Sequence, residues 1–219
     1  MPRRGSSRYL PAPESEGQTQ PGSRGRVLRN KPGIIQKREM DRVEFAALVR
    51  TQTAWLERIT PATRFTTELL CAMHHDWLGE LYEWAGRYRT VELEKGGFHW
   101  PPAYRVAENM LIFEKGLLAT HTPCRPAPLP EVARRIAEVH AEFLLIHPFR
   151  DGNGRVARWL ADLMALQAGY PLPSYGFTGR GALTRRQYYL AAVSRGYVVD
   201  YAALTDFFAE AIERRLREE

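Results

Sequence analysis

The sequence is short of three features that would set a protein apart from ordinary globular chains. It has 2 cysteines in 219 residues, Cys71 and Cys124, so neither a disulfide framework nor a cysteine metal site is expected. It has no run of roughly eighteen apolar residues, so no transmembrane helix is expected. Residues 1–18 contain no apolar run, which argues against a signal peptide or a membrane anchor there. We therefore expect a cytoplasmic protein without a membrane partner.

Acidic residues are scarce in residues 1–38, where nine Lys or Arg side chains meet only Glu14 and Glu16. Since the whole chain has a net charge of +6, its basic character belongs to this segment. Five prolines and five glycines in the same segment disfavour a helix. We predict a flexible tail over residues 1–38 and one domain over residues 39–219. Contact of the tail with nucleic acid or an acidic partner is the weaker alternative.

Apolar residues at helical spacing run through most of the domain. Helices are predicted over residues 41–59, 64–79, 104–118, 130–146, 153–169, 184–196 and 201–216. The predicted core positions include Trp77, Trp84, Trp159 and His140. Two short β-prone runs flank Lys95-Gly96-Gly97, the pattern of a hairpin with a glycine turn. The sequence thus predicts an all-α domain with one inserted β-hairpin.

The segment HPFRDGNGRVAR concentrates polar side chains between two predicted helices. Gly152, Asn153 and Gly154 open the second of these helices, where free backbone N–H groups and the helix dipole favour an anion. They are interpreted as a phosphate nest. Arg155 and Arg158 lie three residues apart, so both can face the same side of the first turn and clamp a polyphosphate.

The same segment supplies a base and a metal ligand. His147 ends the preceding helix, and an imidazole titrates near neutral pH, which suits a proton acceptor for an attacking hydroxyl. Asp151 would repel phosphates unless Mg²⁺ lay between them, and Mg²⁺ prefers oxygen ligands. A base, a metal ligand, an anion cradle and two cations are what displacement at phosphorus needs.

This segment resembles the signature of the Fic family, His-Pro-Phe-x-(Asp/Glu)-Gly-Asn-Gly-(Lys/Arg)-x-x-Arg, at every defined position. LYEWAGRYRTVELEKGGFHW is similar to the family's Trp-Ala-Gly-x-x-Arg segment and the hairpin after it, called the flap. RRQYYLAAVSRGYVVDYAAL is similar to its closing region. The resemblance implies a Fic-type helical domain. It also implies an adenylyltransferase that uses ATP and Mg²⁺ to place AMP on a Ser, Thr or Tyr hydroxyl of a target protein.

The resemblance implies roles for single positions. In the family the general base is the signature histidine, here His147, and the metal ligand is the signature acid, here Asp151. The nucleotide-binding positions, of which the last two adjoin adenine, are Gly152, Asn153, Gly154, Arg155, Arg158, Tyr188 and Tyr189. The flap positions, which in the family pair with the target's backbone as an added strand, are Lys95, Gly96, Gly97 and Phe98.

We consider two hypotheses for how the activity is inhibited. Many family members carry an inhibitory helix with the pattern (Ser/Thr)-x-x-x-Glu-(Gly/Asn), whose glutamate pairs with the last signature arginine. The nearest match begins at Thr53 and places Glu57 at the right spacing, with Arg58 where Gly or Asn would stand. Either Glu57 inhibits the enzyme, or a separate small antitoxin protein does and the enzyme is a toxin.

Two other functions remain as alternatives. Some relatives on the same fold transfer phosphate or use other diphosphate-containing donors. Gly154 favours AMP transfer, because the phosphate-transferring relatives tend to have Lys there. A non-catalytic binding scaffold is the other alternative, and the intact signature argues against it.

Overall fold

The computed structural model describes residues 16–218 and is mostly helical. The α-helices are α1 (Lys37–Leu56), α2 (Thr67–Leu78), α3 (Val106–Phe113), α4 (Ala119–His121), α5 (Leu129–Ile146), α6 (Asn153–Gln167), α7 (Ala182–Gly196) and α8 (Ala202–Glu218). A 3₁₀ turn precedes α3, and a π-helical turn joins α3 to α4. Strands β1 (Glu94–Lys95) and β2 (Phe98–His99) form an antiparallel hairpin. The prediction of a helical domain with one hairpin is confirmed.

Helix α5 lies at the centre of the domain, in contact with α3, α6, α7 and α8. Val132, Ile136 and Phe143 are completely buried along it, at the spacing of a helix face that packs on neighbours. The helix ends at Ile146, and the next residue, His147, caps it in a left-handed backbone conformation with φ 52°. Because α6 begins six residues later, the end of α5 and the start of α6 meet at one place.

The core contains the side chains that the sequence assigns to it. Trp77, Trp84 and Trp159 are 1–2% exposed, and His140 is 1% exposed. The Trp77 indole donates a hydrogen bond to the backbone oxygen of Glu44 over 2.9 Å, which joins α2 to α1. The prediction that these residues pack in the core is confirmed.

Residues 16–36 differ from the predicted tail, because they lie against the helices. Thr19 and Leu28 form a β-bridge, and Val27 is 3% exposed within the core. The Asn30 side chain bonds to the backbone of Leu28 and Ile34, which closes a turn. Buried apolar contact and closed turns give this Gly- and Pro-rich stretch an ordered path. The tail prediction for residues 1–15 lies outside the described residues.

Both cysteines are free thiols, and Cys124 is buried. Burial raises the pKa of the Cys71 thiol to about 11, so this thiol is protonated at neutral pH. Within residues 16–218, we find no helix with the length and hydropathy needed to cross a bilayer.

Candidate functional site

The segment of residues 147–154, which joins α5 to α6, is called here the signature loop. A cleft of about 530 Å³ opens between the flap, this loop and α7. Small-molecule sites commonly have volumes of about 300–1,000 Å³. The lining residues are Lys95, Phe98, Trp100, Leu144, His147, Asp151, Gly152, Asn153, Gly154, Arg155, Arg158, Tyr189, Leu190, Val193, Ser194 and Tyr197. The predicted site residues outside this lining are Gly96, Gly97, Tyr188 and Glu57.

The His147 imidazole is held as a neutral base. Its Nδ1 lies 3.0 Å from the backbone oxygen of Leu144, and because a carbonyl only accepts, Nδ1 donates and Nε2 carries no proton. Burial lowers the pKa of His147 to about 4, and the nearby Arg89 guanidinium adds to this. The Trp100 ring packs on the imidazole with the centroids 4.1 Å apart. His147 therefore stands ready to accept a proton at neutral pH.

The signature loop is closed by its own side chains. The Asn153 amide accepts a hydrogen bond from the Phe149 N–H over 2.9 Å and donates to the Phe149 carbonyl over 2.7 Å. The buried Phe149 ring stacks on His74, with the centroids 3.8 Å apart. Gly152 has φ 84°, and a Cβ atom there would lie 2.7 Å from the Trp77 ring. Glycine is therefore required at position 152 by both conformation and space.

The N-terminus of α6 offers free donors to an anion. In the part of the chain that the structure describes, the backbone N–H groups of Asn153 and Gly154 have no hydrogen-bond partner. Gly152 caps the helix without a side-chain hydrogen bond. Free N–H groups at the positive end of a helix dipole form an anion site. This geometry supports the phosphate-nest interpretation.

The two signature arginines have different environments. Arg155 forms a 2.6 Å ion pair with Glu44, and its guanidinium lies 4.6 Å from the Trp77 ring centroid. Glu44 is 5% exposed and also accepts a 2.6 Å hydrogen bond from Tyr82. Arg158 has no carboxylate within ion-pair distance among the described residues. Both arginines line the cleft, and Arg158, whose guanidinium lies 5.8 Å from the Phe177 ring centroid, is the one whose charge has no carboxylate partner among the described residues.

Helix α1 reaches the signature through Glu44 and not through Glu57. Glu57 follows the last residue of α1 and is exposed, and its neighbour Arg58 pairs with Asp76. The structure therefore does not bring Glu57 to Arg158. Sequence reasoning missed Glu44, because a single glutamate on an amphipathic helix has no distinctive spacing.

Asp151 is placed to share a cation with phosphate. Its side chain is 51% exposed and lines the cleft, and one carboxylate oxygen accepts a 2.5 Å hydrogen bond from the Gly152 N–H. Among the described residues there is no cluster of three ligating side chains. Mg²⁺ is usually held by one or two carboxylates together with substrate phosphates and water. The residues present fit a Mg²⁺ ion that arrives with a nucleotide.

The aromatic wall of the cleft differs in part from the predicted pair. Tyr189 is buried in the wall, and its hydroxyl lies 2.8 Å from His140 Nε2. Tyr188 is 40% exposed and donates to the Ala203 carbonyl outside the cleft. Tyr197 lines the cleft instead. Adjacent helix residues point about 100° apart, and here Tyr189 faces the cleft while Tyr188 reaches Ala203 of α8.

The flap has the predicted hairpin geometry. Gly96 and Gly97 have φ values of 58° and 80°, which is the requirement of a two-residue type I′ turn. Lys95 and Phe98 flank this turn, are exposed on the strands and line the cleft. The Phe98 ring lies 5.1 Å from the Tyr197 ring, across the cleft mouth.

This fold and cleft define a class of protein, namely an α-helical domain with an anion-binding helix N-terminus beside a neutral histidine. Residues 64–165 match the Fic/DOC family. The protein adenylyltransferase VbhT of Bartonella schoenbuchensis is 27% identical over 192 residues, which cover 88% of this chain and 37% of VbhT. The probable protein adenylyltransferase y4lH of Sinorhizobium fredii is 31% identical over 148 residues, which cover 67% of this chain and 74% of y4lH.

The fold has solved counterparts. The crystal structure of BepC from Bartonella tribocorum, with AMPPNP bound, has a TM-score of 0.68 and 21% identity, and the match covers 84% of this chain and 91% of BepC. The chain belongs to the Fic/DOC family. The family that the sequence predicts is confirmed, and the predicted enzyme class agrees with the names of these relatives.

Proposed function

We propose that this chain is a protein adenylyltransferase that moves AMP from ATP to a Ser, Thr or Tyr hydroxyl of a target protein, with His147 as general base. The observation that carries the proposal is that the unprotonated His147 Nε2 and the free N–H groups of α6 belong to one cleft. The names of the relatives and the nucleotide in BepC support it.

Binding begins with the phosphates in the cradle. The N–H groups of Asn153 and Gly154 and the guanidinium of Arg158 supply donors and positive charge there. Mg²⁺, when held at Asp151, would neutralise phosphate charge and orient the leaving group. Tyr189 and Tyr197 give the base of the nucleotide an aromatic wall.

Transfer then needs one proton acceptor. His147 Nε2 takes the proton of the target hydroxyl while the oxygen of that hydroxyl bonds to the α-phosphorus of ATP. The bond from that phosphorus to the bridging oxygen breaks, and pyrophosphate leaves. The Leu144 carbonyl accepts from His147 Nδ1 and stabilises the imidazolium that forms. The flap edge at Lys95 and Phe98 holds an extended target segment as an added strand.

Labelled nucleotide tests the reaction. We expect proteins of a lysate incubated with the chain and Mg²⁺ to take up label from the α-phosphate of ATP and not from the γ-phosphate, with a mass gain of one AMP. His147→Ala should lower uptake by about 10²–10⁴-fold. His75→Ala, at an exposed histidine outside the cleft, is the matched control. Uptake from the γ-phosphate would favour phosphate transfer instead, and equal uptake by His147→Ala would remove the histidine from the reaction.

Regulation and location stay predictions. Inhibition by an antitoxin protein, a toxin role, a cytoplasmic location and nucleic-acid contact by the basic segment of residues 1–38 are hypotheses from the sequence. For the internal inhibitor, the position of Glu57 outside the cleft favours control by a separate protein.

A further inference from the structure

Among the residues that the structure describes, the buried Arg89 guanidinium hydrogen-bonds only to backbone oxygens. Arg89 is 2% exposed, and its Nε donates to the His147 carbonyl over 2.8 Å. Its Nη1 donates to the Val91 carbonyl over 3.0 Å, and its Nη2 to the Pro101 carbonyl over 2.5 Å. A longer contact of 3.4 Å joins Nη2 to the Ile146 carbonyl. Within residues 16–218, no carboxylate lies within ion-pair distance of this guanidinium.

Such a placement is costly and is not explained by packing. Burial lowers the pKa of Arg89, which reports the penalty on its charged form. An apolar side chain of similar volume would fill the same space without that penalty. The carbonyls of Ile146 and His147 lie at the C-terminal end of α5, where the helix dipole is negative and a cation is stabilised. The charge of Arg89 therefore complements the end of the helix that delivers the base.

The four carbonyls belong to two parts of the site. Val91 lies in the segment that leads into the hairpin and Pro101 in the segment that leaves it. We call these two segments, residues 91–93 and 100–101, the flap legs. The other two carbonyls belong to the base and the residue before it. The backbone N–H of Arg89 also donates to the Pro148 carbonyl over 2.8 Å. One side chain thus joins both legs of the flap to the backbone of the base.

The backbone of His147 is the element that most needs such support. Its φ of 52° is a left-handed conformation that a residue with a Cβ atom adopts at a cost. That conformation directs the imidazole toward the cleft, and the Arg89 Nε bond is made to the carbonyl of this same residue. Arg89 itself does not line the cleft.

From this geometry we infer that Arg89 is a positioning residue, which sets the spacing between the target-binding flap and His147. The inference rests on the proposed function, because the flap matters only if it presents a hydroxyl to the base. Loss of the Arg89 guanidinium removes the hydrogen bonds that hold the flap legs. The hydroxyl of the target then meets His147 less often, whereas the phosphate-binding N–H groups of α6 stay in place. Nucleotide binding and transfer should then respond differently.

The test compares Arg89→Lys and Arg89→Gln with the same changes at Arg87, an exposed residue on the same segment that bonds to the Glu83 carbonyl. For the Arg89 variants we expect hydrogen exchange of residues 91–101 to rise at least about tenfold and AMP incorporation from α-labelled ATP to fall at least about tenfold. The affinity for AMPPNP with Mg²⁺, measured by calorimetry, should stay within about threefold. The Arg87 variants should behave like the unmodified chain in all three measurements.

Two results would overturn the inference. One is unchanged exchange in residues 91–101 of Arg89→Lys. The other is an equal fall in nucleotide affinity and AMP incorporation, which would indicate general structural damage. The exchange measurement does not depend on activity, so absence of AMP transfer in the unmodified chain would sink the proposed function without deciding the role of Arg89.

The unmodified chain provides a test that needs no variant to fold. Because the Arg89 N–H is buried and bonded to Pro148, its exchange should be as slow as that of the amides in the middle of α5. Exchange as fast as that of the flap turn at Gly96 and Gly97 would show that the flap base is not fixed, and the inference would fail.

Discussion

The signature loop and the flap lie on opposite sides of one cleft and are built in contrasting ways. In the loop, Asn153 is 2% exposed and uses its amide to close the turn, and Gly152 fits against Trp77 without space for a side chain. In the flap, the strands have two residues each and both strands are exposed. A Cβ atom added at either glycine of the turn would meet no atom within 4 Å. Hydrogen bonds and close packing hold the signature loop itself, whereas hydrogen bonds at the flap legs hold the flap.

The contrast agrees with what the proposed function requires each part to bind. Donors that stabilise charge at phosphorus act best when they need no reorganisation, which requires a rigid loop. A strand edge that accepts an extended segment must leave its own N–H and C=O groups free. Under the proposed function, chemistry takes place on the rigid side of the cleft and target recognition on the open side.

Removal of the Glu44 carboxylate should give the largest effect on stability. Glu44→Ala leaves Arg155 without its 2.6 Å partner and Tyr82 without an acceptor. We expect the free energy of unfolding to fall by about 3 kcal/mol, at the low end for a broken buried pair because Arg155 is 29% exposed. Urea unfolding measures this change.

Glu57→Ala, directly after the last residue of the same helix, is the matched control. Glu57 is exposed, so its removal should change the free energy of unfolding by less than about 0.5 kcal/mol. It should also leave AMP incorporation unchanged, because Glu57 does not line the cleft. A clear gain in incorporation would instead restore the internal-inhibitor hypothesis.

A pair of glycine substitutions compares the loop and the flap directly. Gly152 and Gly97 have φ values of 84° and 80°, so alanine meets a similar backbone strain at both. At Gly152 the added Cβ would also lie 2.7 Å from Trp77, whereas at Gly97 it meets nothing within 4 Å. We expect Gly152→Ala to cost about 2 kcal/mol more than Gly97→Ala and to weaken AMPPNP binding more. Equal costs, measured by thermal unfolding, would contradict the rigid-loop account.

Acid should destabilise the core that supports the loop. Burial, with Arg158 nearby, lowers the pKa of His140 to about 3, so the unfolded chain binds a proton at this residue at pH 5 and the folded chain does not. Stability is therefore lost as the pH falls from about 6.5 toward 3, with about 2 kcal/mol lost at pH 5. His140→Gln should show a correspondingly smaller loss between pH 7.5 and pH 5. An identical pH dependence of the two unfolding curves would contradict the buried neutral histidine.

Apart from the Glu57 control, the smallest expected change in stability is at the flap. Phe98 is 38% exposed and contacts the rings of Trp100 and Tyr197. Phe98→Ala should lower the free energy of unfolding by no more than about 1 kcal/mol, the scale of an exposed aromatic pair. It should lower AMP incorporation and leave AMPPNP affinity unchanged, because the cradle is not involved. A fall in AMPPNP affinity would mean that the flap also binds nucleotide.

Local patterns in the sequence predict much of this fold. Apolar spacing identifies α5 and α6, and the Gly96-Gly97 step identifies the hairpin turn, since both depend on neighbours close in sequence. The sequence does not separate Tyr188 from Tyr189, because the packing of α7 on its neighbours decides which of these two side chains faces the cleft. It also predicts a tail where residues 16–36 in fact pack on the helices.

The sequence by itself determined the parts of the cradle. His147, Asp151, the Gly152-Asn153-Gly154 turn and Arg158 lie within twelve consecutive residues, so helix ends and turn chemistry suffice to place them together. Only the tertiary structure decided which distant residues support them. Glu44 meets Arg155 across 111 positions and Arg89 meets His147 across 58, and no local spacing encodes such contacts. They arise because α1 and the flap legs pack where α5 ends and α6 begins.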